Sequence, residues 1–283
     1  MIPSNQLHDS YRIPKIIHLC WLSGDPFPED IQRCIDSWKV ILPEYEVWLW
    51  GKLPVDRKCY EGLNIIEKQF NLDSVLWTKQ AFEKRKYAFA ADYIRLYALY
   101  NYGGIYLDSD VLMYKSFNDL LHLPYFVGQD YEHCFEAAVL GAEKGTLWIG
   151  EILEHYKDRA FVKEDGTLDT LPLPRIFLER LSEKYRFYRL HKLVDYAKND
   201  TDFFIFDRDF FNSRNSCKAR KTKKSYCAHN YAGTWTEKDS SLKSRIKYSM
   251  PKWLLNIFFT ISHNTFNRKR VHMYEPYIVK EIK

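Results

Sequence analysis

Between Arg12 and Trp50 the chain reads strand, helix, strand, and that order restricts it to one fold class. "RIPKIIHLCW" is β-branched and apolar, a buried strand ending near Trp21. Pro28 opens a helix whose apolar positions Ile31, Cys34, Ile35, Trp38, Ile41 and Leu42 share one face, and Pro43 stops it. "YEVWLW" follows as a second strand. Strands joined in this way form a βαβ unit, so the expected architecture is α/β: a mostly parallel sheet with helices on its faces. At 283 residues and 46% hydrophobic, the chain is long and apolar enough to bury such a sheet in one large domain.

The next segment carries the chemistry. "KQAFEKRKYAFAADYIRLYALY", from Lys79 to Tyr100, predicts one helix, apolar nearly all round after Tyr87 and therefore buried. Inside it Asp92 and Arg95 share a face at i, i+3. As a core ion pair they contribute little net stability; as ligand groups, Arg95 suits phosphate and Asp92 a sugar hydroxyl. The helix runs into Gly103 and Gly104, one of which takes the C-terminal cap. "IYL" is then a short strand with Asp108 at its carboxyl end, where open α/β sheets place their ligands.

Asp108 and Asp110 stand one residue apart in "LDSDV". Two carboxylates held this close at the edge of a packed sheet repel unless a positive charge lies between them. Hard oxygen donors of this kind suit Mg²⁺ or Mn²⁺ bridging a diphosphate. Alone, D-x-D is a weak signal, and the same residues can cap a turn. The order of buried Asp/Arg helix, glycine pair, apolar strand and DSD gives it weight.

Other features set bounds. Net charge is +5 with the excess toward the C-terminus, which points to an anionic partner there. Cys20, Cys34, Cys59, Cys134, Cys217 and Cys227 include no C-x-x-C pair, so neither a zinc knuckle nor a redox motif is expected, only reduced thiols. The N-terminus has no apolar signal region and no run of about 18 apolar residues occurs. The expected location is cytoplasmic, either free or peripheral on the cytoplasmic face of a membrane. Residues 214–225, "RNSCKARKTKKS", form a basic stretch, read as a solvated loop or as a lid over diphosphate. The chain divides into a catalytic domain over 1–237 and a helical, basic, amphipathic extension over 238–283, where Trp253 to Phe259 suit a membrane interface or a helix packed on the core.

In order along the chain, "IPKIIHLCW", "AADYIRLYALYNYGGIYLDSDV" and "AHNYAGTW" resemble the DXD-containing glycosyltransferases of family 32, which include bacterial capsule-sugar transferases and fungal initiating mannosyltransferases. The resemblance spans about residues 13 to 235. It implies a GT-A fold, a nucleotide-sugar donor (foremost a UDP-sugar), a Mn²⁺ or Mg²⁺ cofactor and retention of anomeric configuration. Trp21 matches the aromatic that stacks on the donor base, with His18 and Leu19 lining the same pocket. Asp92 matches the acid that contacts ribose or donor sugar, Arg95 the base that contacts sugar or phosphate, and Asp108 and Asp110 the metal-binding pair. Those four form the expected catalytic set. Family members usually carry two adjacent histidines before a terminal Ser-Trp; here stand His229, Asn230, Thr234 and Trp235. Either His229 or Asn230 completes the metal shell, and Trp235 offers an indole N–H to phosphate.

Leu171 to Pro174 replace a Gly-Pro that relatives often place near the donor sugar, which leaves the sugar open. Gln129 and Asp130 are weak acceptor-side candidates or ordinary loop residues. The expected activity is metal-dependent hexosyl transfer to a saccharide or lipid-linked saccharide in capsule, exopolysaccharide or lipopolysaccharide synthesis, without nucleic acid. Two rivals stand beside it. An aspartate-nucleophile phosphohydrolase also follows an apolar strand with D-x-D, but no convincing downstream acidic pair follows here. A basic RNA-binding protein rests on the 214–225 stretch alone.

Overall fold

The computed structural model describes residues 11–130, 135–197, 199–212, 214–215, 218–219, 221–230 and 278–282. Strand β1 (Ile16–Trp21) lies parallel to β2 (Glu46–Gly51) in unbroken register from Ile16 opposite Glu46 to Trp21 opposite Gly51. Helix α1 (Glu29–Ile41) joins them and buries Ile31, Cys34, Ile35 and Trp38, the stripe its periodicity requires. Glu29 and Asp30 in its first turn and Lys39 in its last complement the helix dipole. Strand β3 (Asn64–Lys68) adds in parallel on the far side of β2.

The single helix expected from Lys79 to Tyr100 is two helices. Helix α2 (Leu76–Glu83) and α3 (Tyr87–Tyr102) are separated at Arg85, whose φ of +55° breaks the helical ladder. Glu83, Lys84 and Arg85 are exposed, so this charged run has no apolar face to keep a helix on the core. The break lets α3 bury Ala90, Ile94, Leu96 and Leu99 independently of α2. At its end Gly103, with φ +68°, donates its N–H to the Leu99 carbonyl, and Gly104 begins strand β4 (Gly104–Leu107). A Cβ on Gly104 would lie 2.7 Å from the Ile16 carbonyl oxygen, so the tight passage from helix to strand requires glycine there.

Beyond β4 come β5 (Val111–Met113), β6 (Tyr125–Gln129), β7 (Phe135–Ala142), α4 (Leu147–His155), α5 (Leu173–Leu181), β8 (Arg186–Leu190), β9 (Asp202–Phe206) and α6 (Arg208–Phe211). Short β10 (Arg214–Asn215) and β11 (Lys218–Ala219) pair as a hairpin, β12 (Cys227–His229) pairs with β5, and β13 (Ile278–Ile282) comes last. Among the described residues the main sheet has nine strands, ordered β13-β8-β9-β6-β7-β4-β1-β2-β3. Only β7 runs antiparallel to its neighbours, β4 and β6. This mostly parallel, helix-flanked sheet is the α/β architecture that the strand–helix–strand order predicts.

Strand alternation separates two cores. Ile17, Leu19, Val47, Leu49, Ile105 and Leu107 face α1 and α6, while Trp50 and Tyr106 face the side of α2 to α5. Of the extension expected over 238–283, residues 278–282 supply β13, which lies parallel to β8 at the sheet edge. The segment from Trp253 to Phe259 lies outside the described residues. Among the described residues no helix is long and apolar enough to cross a membrane.

Candidate active site

Asp108 leaves the sheet where β4 ends. Its N–H donates to the Ala138 carbonyl on β7 at 2.9 Å, and the Val111 N–H closes the turn on the Asp108 carbonyl at 3.1 Å. The turn thus fixes both carboxylates at the carboxyl edge of the sheet. The Tyr106 hydroxyl donates to Asp108 Oδ1 at 2.7 Å, and Arg95 lies 3.5 Å from the same oxygen. Arg95 also pairs with Asp92 at 2.9 Å, donates to the Ala137 carbonyl at 2.7 Å and stacks 4.3 Å from the Tyr106 ring centre. Asp92 and Arg95 therefore form the expected pair, and Arg95 extends it to the DSD turn.

Asp92 and Arg95 sit in low dielectric. Burial pushes the Asp92 carboxyl up to about 7, with Arg95 opposing the rise and Asp108 adding to it. Burial works against the Arg95 charge, but Asp108 and its other acidic neighbours outweigh that and hold the guanidinium charged. Arg95 is turned into this network, as a brace for Asp108.

The third member of the site arrives from 119 residues downstream of Asp110. Strand β12 pairs antiparallel with β5, setting His229 opposite Val111, and the Asn230 N–H donates to the Asp110 carbonyl at 3.0 Å. His229 Nε2 then lies 3.4 Å from Asp110 Oδ1. One ligand atom each from Asp108, Asp110 and His229 falls within 4.8 Å of the others. Neighbouring ligands on an octahedral ion at 2.0–2.1 Å stand roughly 3 Å apart, so two carboxylates and an imidazole at this spacing fit a divalent ion.

Burial disfavours the charged form of His229, yet Glu136 and Asp110 outweigh it and hold its pKa well above the ordinary value. Coordination requires the neutral imidazole, so an ion and that proton are alternatives at one position. His229 groups with Asp108 and Asp110, and the Asn230 side-chain amide donates to Cys34 Sγ at 3.0 Å.

Other expected residues fall elsewhere. The Leu19 side chain is buried in the core under α1 and that of His18 in the core under α3. Trp50 Nε1 donates to His18 Nδ1 at 3.1 Å; since an indole only donates, His18 carries its proton on Nε2 and donates to the Gly103 carbonyl at 2.8 Å. The ring pins β1 to β2 and to the cap of α3. Trp21 is half-buried at the end of β1, edge-on to Phe27, with Nε1 donating to the Asp25 carbonyl. It adjoins a cleft of about 520 Å³ lined in part by Gly51, Lys52, Arg57, Tyr60 and Glu67. Gln129 is buried at the end of β6 and Asp130 half-buried after it, Pro172 and Pro174 start α5, and Trp235 lies outside the described residues.

Sequence reasoning missed Glu136. It is buried on β7 with Oε1 at 3.2 Å from His229 Nδ1. The available signal was a single acid within "FEAAVLGA", a strand otherwise suited to complete burial.

The neutral, buried state of His18 has a pH consequence. Burial lowers its pKa to about 4. Between the unfolded value near 6.5 and 4 the unfolded chain binds the extra proton, so stability falls as pH falls through that window. The expected contribution is about 3 kcal/mol, opposed in part by Asp92, whose raised pKa has the opposite sign. Urea unfolding of wild type and His18→Phe across this range checks it: the mutant should lose the His18 part of the acid-side slope, and an identical slope would refute the assignment.

Comparison with known proteins agrees with this geometry. Residues 28–127 match the family described as "Glycosyltransferase sugar-binding region containing DXD motif". Inositol phosphoceramide mannosyltransferase 3 of Schizosaccharomyces pombe is 31% identical over 165 residues, 56% of this chain and 41% of that protein. Mannosyl phosphorylinositol ceramide synthase SUR1 of Saccharomyces cerevisiae is 33% identical over 188 residues, 64% of this chain and 44% of that protein. The chain thus spans less than half the length of these two relatives. Among solved structures, the PaToxG glycosyltransferase aligns over 60% of this chain and 68% of its own at 24% identity and a TM-score of 0.46. The galactosyltransferase LgtC aligns over 62% and 75% at 16% identity and 0.36. The matched region contains the DSD turn, and the sheet places that turn where ligands bind, so residues 28–127 are similar to the DXD-containing sugar-binding region of glycosyltransferases.

Proposed function

We propose that the protein transfers a hexose from a nucleotide-sugar, in a metal-dependent and retaining reaction, to a hydroxyl of a saccharide or lipid-linked saccharide. The observation that carries this reading is the convergence of Asp108, Asp110 and His229 at the carboxyl end of β4, beside the buried Asp92–Arg95 pair. Those three residues would hold Mn²⁺ or Mg²⁺. The ion supplies positive charge beside a diphosphate as its bond to the sugar breaks. Arg95 and Tyr106 fix Asp108 Oδ1, so the carboxylate presents its other oxygen. Trp21, whose backbone carbonyl accepts the Lys52 N–H beside the Gly51–Lys52 cleft, would stack on the nucleotide base.

Retention needs either a carboxylate nucleophile or front-face attack. Asp92 is tied to Arg95, and Glu136 accepts from Ala138 and Asn212 while facing His229. Both are committed, which favours the front-face route, with the departing phosphate taking the acceptor proton.

The names of the yeast relatives move the acceptor away from capsule sugars and toward an inositol-phosphate-bearing lipid. A position on the cytoplasmic face of a membrane fits such an acceptor and the basic stretch at 214–225. The test is a panel of UDP- and GDP-sugars with Mn²⁺, reading nucleotide release with an inositol phospholipid or an oligosaccharide as acceptor. Release that needs both metal and one acceptor class is expected; phosphate release from simple phosphoesters without sugar transfer would overturn the reading.

A further inference from the structure

Glu136 is the one strongly polar side chain that β7 buries among apolar neighbours, at 3% exposure, and such a group is costly unless its oxygens are engaged. They are engaged. Oε1 accepts the Ala138 N–H at 2.9 Å and lies 3.2 Å from His229 Nδ1, and Oε2 accepts from Asn212 Nδ2 at 2.5 Å. Asn212 is itself fully buried at the end of α6. Three elements, β7, α6 and β12, thus meet at one carboxylate whose outward contact is the ring of His229. Packing alone would be met by leucine; the hydrogen bonds, not the volume, need the carboxylate.

Because Glu136 faces Nδ1, the opposite ring nitrogen, Nε2, faces Asp110 at 3.4 Å. A carboxylate accepting from one imidazole nitrogen fixes which nitrogen carries the proton and leaves the other lone pair for an ion, and it holds the ring against rotation. We infer that Glu136 is a positioning residue for the cation site, orienting His229 so that Nε2 joins Asp108 and Asp110 as a ligand, with Asn212 holding Glu136 in turn. This rests on the proposed metal-binding reading of the Asp108, Asp110 and His229 cluster.

The test is a Mn²⁺ titration followed by the electron paramagnetic resonance signal of free Mn²⁺, on wild type, Glu136→Gln and Asp110→Asn, with melting temperatures beside it. Glutamine keeps the volume and an acceptor for Ala138, so a merely structural role would be rescued. The expected result is Mn²⁺ affinity 10- to 100-fold weaker in Glu136→Gln with little change in melting temperature. Wild-type affinity in Glu136→Gln would overturn the inference and leave the metal site standing. No difference between wild type and Asp110→Asn would instead overturn the metal-site reading, and the inference with it. Should Glu136→Gln not fold, Asn212→Ala decides: several-fold weaker binding supports the relay, and unchanged binding refutes it.

Discussion

Arg95→Met is expected to lower the free energy of unfolding by about 3–5 kcal/mol, because it removes one partner of a buried ionic network and leaves the others without compensation. Arg95 is 5% exposed and contacts Asp92, Asp108, the Ala137 carbonyl and the Tyr106 ring, so methionine replaces its volume but none of those interactions. For a chain of this size the loss corresponds to a fall in melting temperature of roughly 10 °C. Asp92→Asn should cost far less, about 1 kcal/mol. Its carboxyl, with a pKa near 7, is already partly neutral around neutral pH, and an amide oxygen still accepts from Arg95. Chemical denaturation of the two variants compares them directly. Equal costs would mean that Arg95 serves Asp92 alone and that its reach to Asp108 carries no energy.

Asp110→Asn has the largest effect expected on activity, a loss of about 10²- to 10³-fold in turnover, the range seen when one group stabilising transition-state charge is removed. Asp110 faces His229 at 3.4 Å, its backbone carbonyl accepts the Asn230 N–H, and its carboxylate is one of the three grouped ligands. Asparagine keeps the shape and the backbone bond, so the fold should persist with the melting temperature within a few degrees. The deficit should shrink as Mn²⁺ is raised, since a weakened site fills by mass action. A loss that no concentration of Mn²⁺ relieves would place Asp110 in another role.

Much of this arrangement was legible in the sequence because its signals are local. The apolar stripe from Ile31 to Trp38, the Gly103–Gly104 exit from α3 and the placement of Asp108 at the end of β4 follow from spacing alone. The break at Arg85 was hidden, since Glu83 to Lys86 have ordinary helix propensities and only the burial demands of α2 and α3 interrupt them. His18 and Leu19 adjoin Trp21 in sequence, but the depth of β1 buries both side chains, which neighbouring residues alone do not reveal. The meeting of His229 with Asp110 depends on β5–β12 pairing, and the contact of Glu136 with His229 on the reversed β7; neither long-range pairing leaves a mark in local composition.

The most direct test of the account is a calorimetric titration of UDP and GDP with and without Mn²⁺, on wild type and Asp110→Asn. One nucleotide is expected to bind wild type, with Mn²⁺ required, and Asp110→Asn is expected to lose the metal-dependent part. Equal binding with and without Mn²⁺, or no binding of either nucleotide, would contradict the assignment of Asp108, Asp110 and His229 as a donor-binding metal site.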